Sequence, residues 1–328
     1  MQPKVSIILP IYNAGEFLIQ CIESLINQTL KDIEIIVILD CPTDGSDKII
    51  EKYAANDYRI KIIRNEQNLH IGESRNIGIK QATGEYIGFC DHDDYCEPNM
   101  FELMYHKAHC ENLDIVGCNF IRKFINKKGI TEKKNNLYLN NTFDKLRKDS
   151  MKEIIRKCGY VWRHLFKTDF LKENNILFVD TKQLQGEDIF FSLLAHFYSQ
   201  RQGFIPDYLY YHLQYSKSTS ASQVYSSLKS VIVFLEYMHS LLVKLSLYND
   251  YRQVYIEQII RRLYTCFLRA IRQNTLKIFL SDITLIKKSQ ILKENINYLF
   301  KSKYLFTLFK KKPTAIIFLL ALKLMKQI

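Results

Sequence analysis

The chain has 328 residues, 47% apolar and 24% charged, with 11 Gly and 6 Pro, a composition that excludes a disordered, collagen-like or linker-dominated protein. Its net charge of +12 is unevenly placed: residues 260–328 hold 15 Lys and Arg against Asp282 and Glu294, a balance of +13, leaving residues 1–259 near −1. No apolar run approaches the roughly 18 residues of a spanning helix, and Met1-Gln2-Pro3-Lys4 opens no signal-peptide core. The eight Cys form no CxxC pair, so a cytosolic chain with reduced, mostly buried thiols is expected rather than a zinc or disulfide framework.

In chain order, Val5 to Leu9 predicts a buried parallel strand. Phe17, Leu18, Cys21, Ile22, Leu25 and Ile26 recur at helical spacing, and Glu34 to Leu39 predicts a second strand. Asp44-Gly45-Ser46 is a turn able to cap a helix through Tyr53. Ile60 to Ile63, a helix over Glu73 to Gln81, Tyr86 to Cys90, a helix near Met100 to Cys110 and a strand Leu113 to Cys118 continue the alternation. This is the repetition of a doubly wound α/β sheet, whose ligands sit outside the carboxyl ends of its strands. Residues 122–149, rich in Lys and Asn, predict an irregular or hairpin excursion. Residues 150–220 return to mixed α/β, with a helix over Glu187 to Tyr198. Beyond the Ser/Gln run Ser216 to Ser227 the pattern is helical over 226–248, 252–273 and 282–301, with a short last helix after Pro313.

Asp91-His92-Asp93-Asp94 follows the apolar run Tyr86 to Cys90. Carboxylates crowded after a buried strand raise one another's pKa and oppose folding. A hard divalent cation, Mg²⁺ or Mn²⁺ shared with a diphosphate, would relieve the repulsion. A solvated acidic turn with helix-capping Asp residues is the other reading. His92 alternates away from Asp91 and Asp93, as a loop residue would.

Six segments, in order, carry a resemblance. Val5 to Asn13 resembles an opening strand with a "P-x-YN" turn, Ser24 to Thr29 an "S-[IVL]-x-x-QT" helix end, and Glu34 to Ser46 an "E-I-I-V-V-D-D-G-S-T-D-G-S" segment. Asn68 to Gly78 resembles "N-x-G-x-x-x-ARN-x-G". Gly84-Glu85-Tyr86-Ile87 precedes a "D-x-D-D" form of the DXD motif, and Gly186 to Phe191 resembles "GED-x-x-F". Over roughly residues 4–220 the sequence resembles the family 2, GT-A fold glycosyltransferases of bacterial surface-glycan synthesis.

That resemblance implies a GT-A domain over 1–220, with a nucleotide-sugar half to about 120 and an acceptor half beyond, then a basic helical region over 221–328. It implies inverting transfer of a sugar from a nucleotide donor, with UDP expected, to an acceptor hydroxyl in polysaccharide or lipooligosaccharide synthesis. A metal would neutralise the leaving diphosphate, and a carboxylate would take the acceptor's proton. By resemblance Asp188 is the base; a dipole-favoured Asp in a helix first turn is the plainer reading. Asp93 is the metal ligand, Asp91 reaches the ribose and assists, and His212 joins the metal shell or a phosphate. A satisfied structural His is equally open for His212, which stands where Arg is common. Nucleotide-sugar contacts fall to Pro10, Tyr12, Asp40, Asn68, Arg75, Asp91, His92, Asp93, His212, Lys217 and Ser218. Core packing of Tyr12 and a surface charge at Arg75 are the plainer alternatives. The chain departs from the pattern at Leu39, at Cys41-Pro42 and at His70, which replaces a usual Gly.

Lys and Arg interleaved with Leu, Ile and Phe over 260–328, with Lys310-Lys311-Lys312 before Ala315 to Leu322, predict peripheral attachment to an anionic inner membrane face. Helices packed on the rest of the protein with Lys exposed are the alternative. No recognition motif supports nucleic acid. A sugar nucleotidyltransferase would want a Gly-rich basic loop where Pro10 to Gly15 stands, and an inactive binding protein would not need Asp91, Asp93 and Asp188.

Overall fold

The apolar runs of the first hundred residues form the parallel part of one mixed sheet. The computed structural model describes residues 2–126, 129–135, 143–144, 148–157, 159–180, 186–215, 228–301 and 305. The chain divides into two compact units, Met1–Lys182 with Gly186–Ala221, and Gln183–Gln185 with Ser222–Ile328.

In the first unit β1 (Val5–Ile11), α1 (Leu18–Ile26), β2 (Ile33–Leu39), α2 (Ser46–Ala54), β3 (Ile60–Arg64), α3 (His70–Gln81) and β4 (Tyr86–Phe89) alternate. Then come β5 (Tyr95–Cys96), α4 (Met100–Cys110), β6 (Ile115–Asn126), β7 (Gly129–Asn135), β8 (Phe143–Asp144), α5 (Lys148–Lys157), β9 (His164–Lys167), α6 (Thr168–Glu173), α7 (Glu187–Tyr198) and β10 (Arg201–Gln214). The strand order is β3-β2-β1-β4-β9-β6-β10-β5, with β7 on β6 and β8 on β10. Strands β3, β2, β1, β4, β6 and β10 run one way and the short β9, β7, β5 and β8 run against them. The expected α/β architecture is therefore present. Every residue of β1 and β2 is buried, which is why both read as mostly apolar runs, with Ser6 and Glu34 the polar exceptions.

Close packing sets the position of the helix that follows β3. Gly78 of α3 lies where a Cβ would come within 2.5 Å of the Ile8 side chain, so only glycine lets α3 approach β1. Glu34 inside β2 is tolerated because it is satisfied. Burial pushes its carboxyl up, but Lys61, Ser6 and Thr83 outweigh that and hold it below the usual range. Among the described residues Cys21, Cys90, Cys96, Cys118 and Cys266 are buried, while Cys110 is exposed.

One expectation is met in its hairpin form and one changes. The excursion after residue 122 is an extension of β6 through Asn126 that turns back as β7, in the register Arg122↔Lys133 and Lys123↔Glu132. Strand β7 is exposed almost throughout, so it carries no apolar alternation to betray it. The helix expected over 282–301 is two helices. The second unit holds α8 (Leu228–Lys244), α9 (Tyr248–Arg272), α10 (Leu276–Lys288) and α11 (Gln290–Lys301) around Leu235, Leu242, Tyr255, Ile259, Phe267 and Phe279. Ser289 separates the last two at the N-cap position of α11, with its Oγ donating to Glu236 at 2.9 Å. No helix among the described residues is long and apolar enough to cross a membrane. The helix expected after Pro313 lies outside the described residues.

Candidate active site at the carboxyl ends of the parallel strands

Strand β4 ends at Phe89, Cys90 still donates to the Ile8 carbonyl at 3.0 Å, and the chain then turns through Asp91 to Asp94. Each carboxylate there has different company. Asp91 Oδ1 accepts from Arg75 Nη2 at 2.7 Å, and its backbone N–H donates to the Tyr210 hydroxyl at 3.1 Å. Asp94 is buried beneath the turn. Its Oδ1 accepts from the Leu213 N–H at 2.8 Å, and its Oδ2 from the Tyr210 hydroxyl at 2.9 Å and His212 Nδ1 at 3.1 Å. Burial pushes the Asp94 carboxyl up to about 6, against the pull of His212. Asp93 Oδ2 accepts from the Tyr215 hydroxyl at 3.1 Å, and burial raises this carboxyl too. Among the described residues no Lys or Arg forms an ion pair with Asp93. Arg75 thus answers Asp91 with an ion pair and β10 answers Asp94 with hydrogen bonds, whereas Asp93 has no ion-pair partner among the described residues.

Arg75 joins this turn to the second acidic segment. Its guanidinium, 2% exposed, reaches Asp91 through Nη2 and Glu187 through Nη1 at 3.4 Å, and lies 5.2 Å from the Phe178 ring. Burial opposes its charge, but Asp91, Glu187 and Asp188 raise its pKa nonetheless. The residue expected to meet a nucleotide is therefore committed to protein carboxylates, because a desolvated guanidinium takes the nearest ones. Burial pushes Glu187 up to about 7, helped by Asp188 and opposed by Arg75.

Gly186, in the left-handed region at φ 99°, turns the chain into α7 and puts Glu187 and Asp188 in its first turn, where the helix dipole favours anions. Asp188 Oδ1 accepts from the Ile189 N–H at 2.7 Å, and Oδ2 from the Tyr160 N–H at 3.4 Å. Around this segment Trp162 stacks on Tyr210 at 4.2 Å and on His212 at 5.3 Å, and packs against Phe120 at 4.8 Å.

At the ends of β1 and β2, Asp40 Oδ1 accepts from Asn65 Nδ2 at 2.7 Å and from the Leu69 N–H at 2.8 Å. Tyr12 beside it is 47% exposed, not packed in the core. His92 Nδ1 lies 3.2 Å from the Pro10 carbonyl, which can only accept, so that nitrogen carries the proton. Asn68 Oδ1 accepts from the His70 N–H at 3.0 Å, forming the turn into α3. Lys217 and Ser218 lie outside the described residues.

The fold thus gathers Pro10, Tyr12, Asp40, Asn68, Asp91, His92, Asp93, Asp188 and His212 near strand ends and the helix starts beside them. It does not gather Asp91, Asp93 and His212 as one ligand set: among the described residues no three His, Cys, Asp or Glu side chains form a metal cluster. Asp91 is paired with Arg75, and His212 Nδ1 with Asp94. The donor that fits a cation is Asp93, a buried carboxylate with no ion-pair partner among the described residues. One carboxylate completed by phosphate oxygens and water suits Mg²⁺ or Mn²⁺ better than a dedicated cage. Sequence reasoning missed Glu187 as the second arm of Arg75, and Tyr160, Trp162 and Tyr215 as the walls beside Tyr210. The one hint was Trp162, the only tryptophan in the chain.

The family model described as "Glycosyl transferase family 2" matches residues 6–170, half of the chain. The glycosyltransferase EpsJ of Bacillus subtilis is 38% identical over 216 residues, covering 64% of this chain and 61% of that relative, so this chain spans about three fifths of EpsJ. The cholesterol galactosyltransferase of Borreliella burgdorferi is 32% identical over 263 residues, covering 77% of this chain and 71% of its own. Among solved structures, S. aureus TarS 1–349 in complex with UDP-GlcNAc aligns with a TM-score of 0.62 at 20% identity, covering 84% of this chain and 89% of that one, a likeness of fold.

Proposed function

Since this chain belongs to glycosyl transferase family 2, we propose that it moves a sugar from a nucleotide donor, with UDP the nucleotide, to an acceptor hydroxyl with inversion at the anomeric carbon. One observation carries the reading: a single buried guanidinium, Arg75, ties the acidic turn after β4 to the acidic first turn of α7. The metal-ligand and base candidates therefore stand on one braced frame, as positioning for group transfer requires.

In this reading Asp188 accepts the acceptor proton as the oxygen attacks. The N–H groups of Ile189 and Tyr160 hold the carboxylate in place without removing its capacity to accept more. Glu187 and Arg75 act behind it as positioning residues. Tyr12 offers a stacking face for the base, and Asp40, oriented by Asn65 and Leu69, an acceptor for an imide N–H. Asp93 is the place for Mg²⁺ or Mn²⁺, with Asp91 held beside it by Arg75. Bound there, the cation would supply positive charge against the leaving diphosphate. His212 stays a phosphate-side contact through Nε2, since Nδ1 is engaged by Asp94. A glycan or lipid-linked acceptor on the inner face of a bacterial membrane is the expected partner. A relative named for the lipid cholesterol and the basic stretch 260–328 both favour it.

The test is a thermal-shift series with UDP-, GDP-, CDP- and dTDP-sugars, with and without Mn²⁺, followed by donor turnover in Asp188→Asn. UDP-sugars with Mn²⁺ should stabilise the protein most. The variant should bind UDP almost as before and lose about 10²–10⁴-fold in turnover, the range of general-base loss. Turnover within a few-fold of the parent would remove Asp188 from the chemistry. Turnover unchanged in EDTA would remove the metal.

A further inference from the structure

Three strands lay a row of basic side chains beside the site. In register, Lys133 of β7 faces Arg122 of β6, and Arg122 faces His212 of β10. Directly paired residues project from the same face of a sheet, with Cβ atoms about 4.5–5.5 Å apart in the antiparallel pair. That face also holds Phe120 and Tyr210, the rings that pack on Trp162.

The opposite face of the same hairpin shows what ordinary neutralisation looks like. There Lys123 faces Glu132 and forms an ion pair with it at 3.0 Å. Arg122 instead faces another cation, an arrangement that destabilises a hairpin left without an anion. Neither Arg122 nor Lys133 forms an ion pair among the described residues. Arg122 is part-buried; its Nε is buried with no hydrogen-bond partner, and its Nη2 donates to the Tyr160 hydroxyl at 3.1 Å. Tyr160 is also the residue whose N–H reaches Asp188. The cations thus stand on the base side of the site, reached through the residue that holds Asp188, and not at the Tyr12 and Asp40 end.

We propose that Arg122 and Lys133 form a subsite for an anionic group of the acceptor, a phosphate or a carboxylate, next to the hydroxyl that is glycosylated. This rests on the transferase reading above. A guanidinium presents paired donors to either oxyanion, and a neighbouring lysine adds charge without demanding geometry. An uncharged acceptor would leave both cations facing each other.

The experiment is isothermal titration of the full chain with glycerol 3-phosphate, glucuronate and uncharged glycerol, and separately with UDP and Mn²⁺. At least one anion should bind and glycerol should not, and the stronger anion tells phosphate from carboxylate. Arg122→Gln should weaken that anion about tenfold or more and leave UDP affinity within about twofold. Lys133→Glu, at an exposed position, places an acid opposite Arg122. It should abolish anion binding with no loss of melting temperature, which separates lost charge from lost folding. The subsite is overturned if the parent binds neither anion, or if both variants bind it as the parent does. It is also overturned if the anion competes with UDP and Arg122→Gln loses both together, since the cations would then serve the donor diphosphate. Anion binding that follows the variants while UDP binds nowhere would support the subsite and overturn the nucleotide reading alone.

Discussion

At the scale of single residues, identical side chains acquire different chemistry from their neighbours. Asp91 is paired with Arg75, Asp94 is buried under donors from β10, and Asp93 keeps a carboxylate with no ion-pair partner among the described residues. Backbone conformation separates residues in the same way. Cys41 and His70, where the family pattern differs from this chain, have φ of 57° and 66°, in the left-handed region that favours glycine. A non-glycine residue there costs roughly 1–2 kcal/mol, partly offset because glycine loses more freedom on folding. His70 is exposed, so little packing is at stake. His70→Gly should leave the unfolding free energy unchanged or raise it by up to about 1 kcal/mol, whereas His70→Val should lower it by about 1 kcal/mol or more. Urea denaturation of both variants checks this, and a destabilised glycine variant would show that the imidazole itself matters.

At the scale of elements, β10 holds the acidic turn. The Tyr210 hydroxyl donates to Asp94 and accepts from the Asp91 N–H, both from a fully buried ring. Tyr210→Phe removes both links and should cost about 1–3 kcal/mol of stability for the groups left short of a partner. It should also weaken Mn²⁺-dependent UDP binding, because Asp93 sits on the same turn. Equal stability and equal UDP affinity would make that hydroxyl idle. Strand β9 and helix α7 meet through two buried histidines, His164 and His196, whose rings lie 5.4 Å apart. Burial holds His196 down to about 4 and His164 well below its usual value. The unfolded chain takes up the proton near 6.5 but the folded chain only near 4, so the folded state loses stability as pH falls through that window. Each such group contributes on the order of 1 kcal/mol per pH unit. Asp94 and Glu187, raised by burial, pull the other way, so the comparison belongs with a variant. Relative to His196→Gln, the parent should lose about 1 kcal/mol per unit between pH 6.5 and 4.5 in urea titrations, and parallel curves would contradict the assignment.

At the scale of the molecule, charge is divided along the chain, with +13 over residues 260–328 and about −1 before them. Segments of this kind are drawn to anionic lipid by about 1 kcal/mol per Lys or Arg near the surface, screened over about 10 Å in ordinary salt. Replacing Lys310, Lys311 and Lys312 together by Gln should therefore weaken co-sedimentation with anionic liposomes by up to about 100-fold, while UDP affinity stays as it was. The parent's binding should fall with added salt. Equal sedimentation of both proteins would leave the basic stretch with a packing role.

Much of the first hundred residues is legible without coordinates because its signals are local. Buried parallel strands are written as apolar runs, as in Val5 to Ile11, and α7 was bounded by Gly186 and by its own periodicity. The acidic run at Asp91 stands out for the same reason, charge directly beside an apolar run being visible in one dimension, whereas Glu187-Asp188 is marked only by its resemblance to "GED-x-x-F". Which carboxylate answers to which partner was not legible. Arg75 meets Glu187 across 112 positions, and Tyr210 meets Asp94 across 116. Nor could the sequence show that Lys133 faces Arg122, since β7 is exposed and its register is set by pairing with β6. Periodicity records which side of an element is buried; partners brought together from distant segments, and the ionisation states they impose, exist only once the sheet has closed.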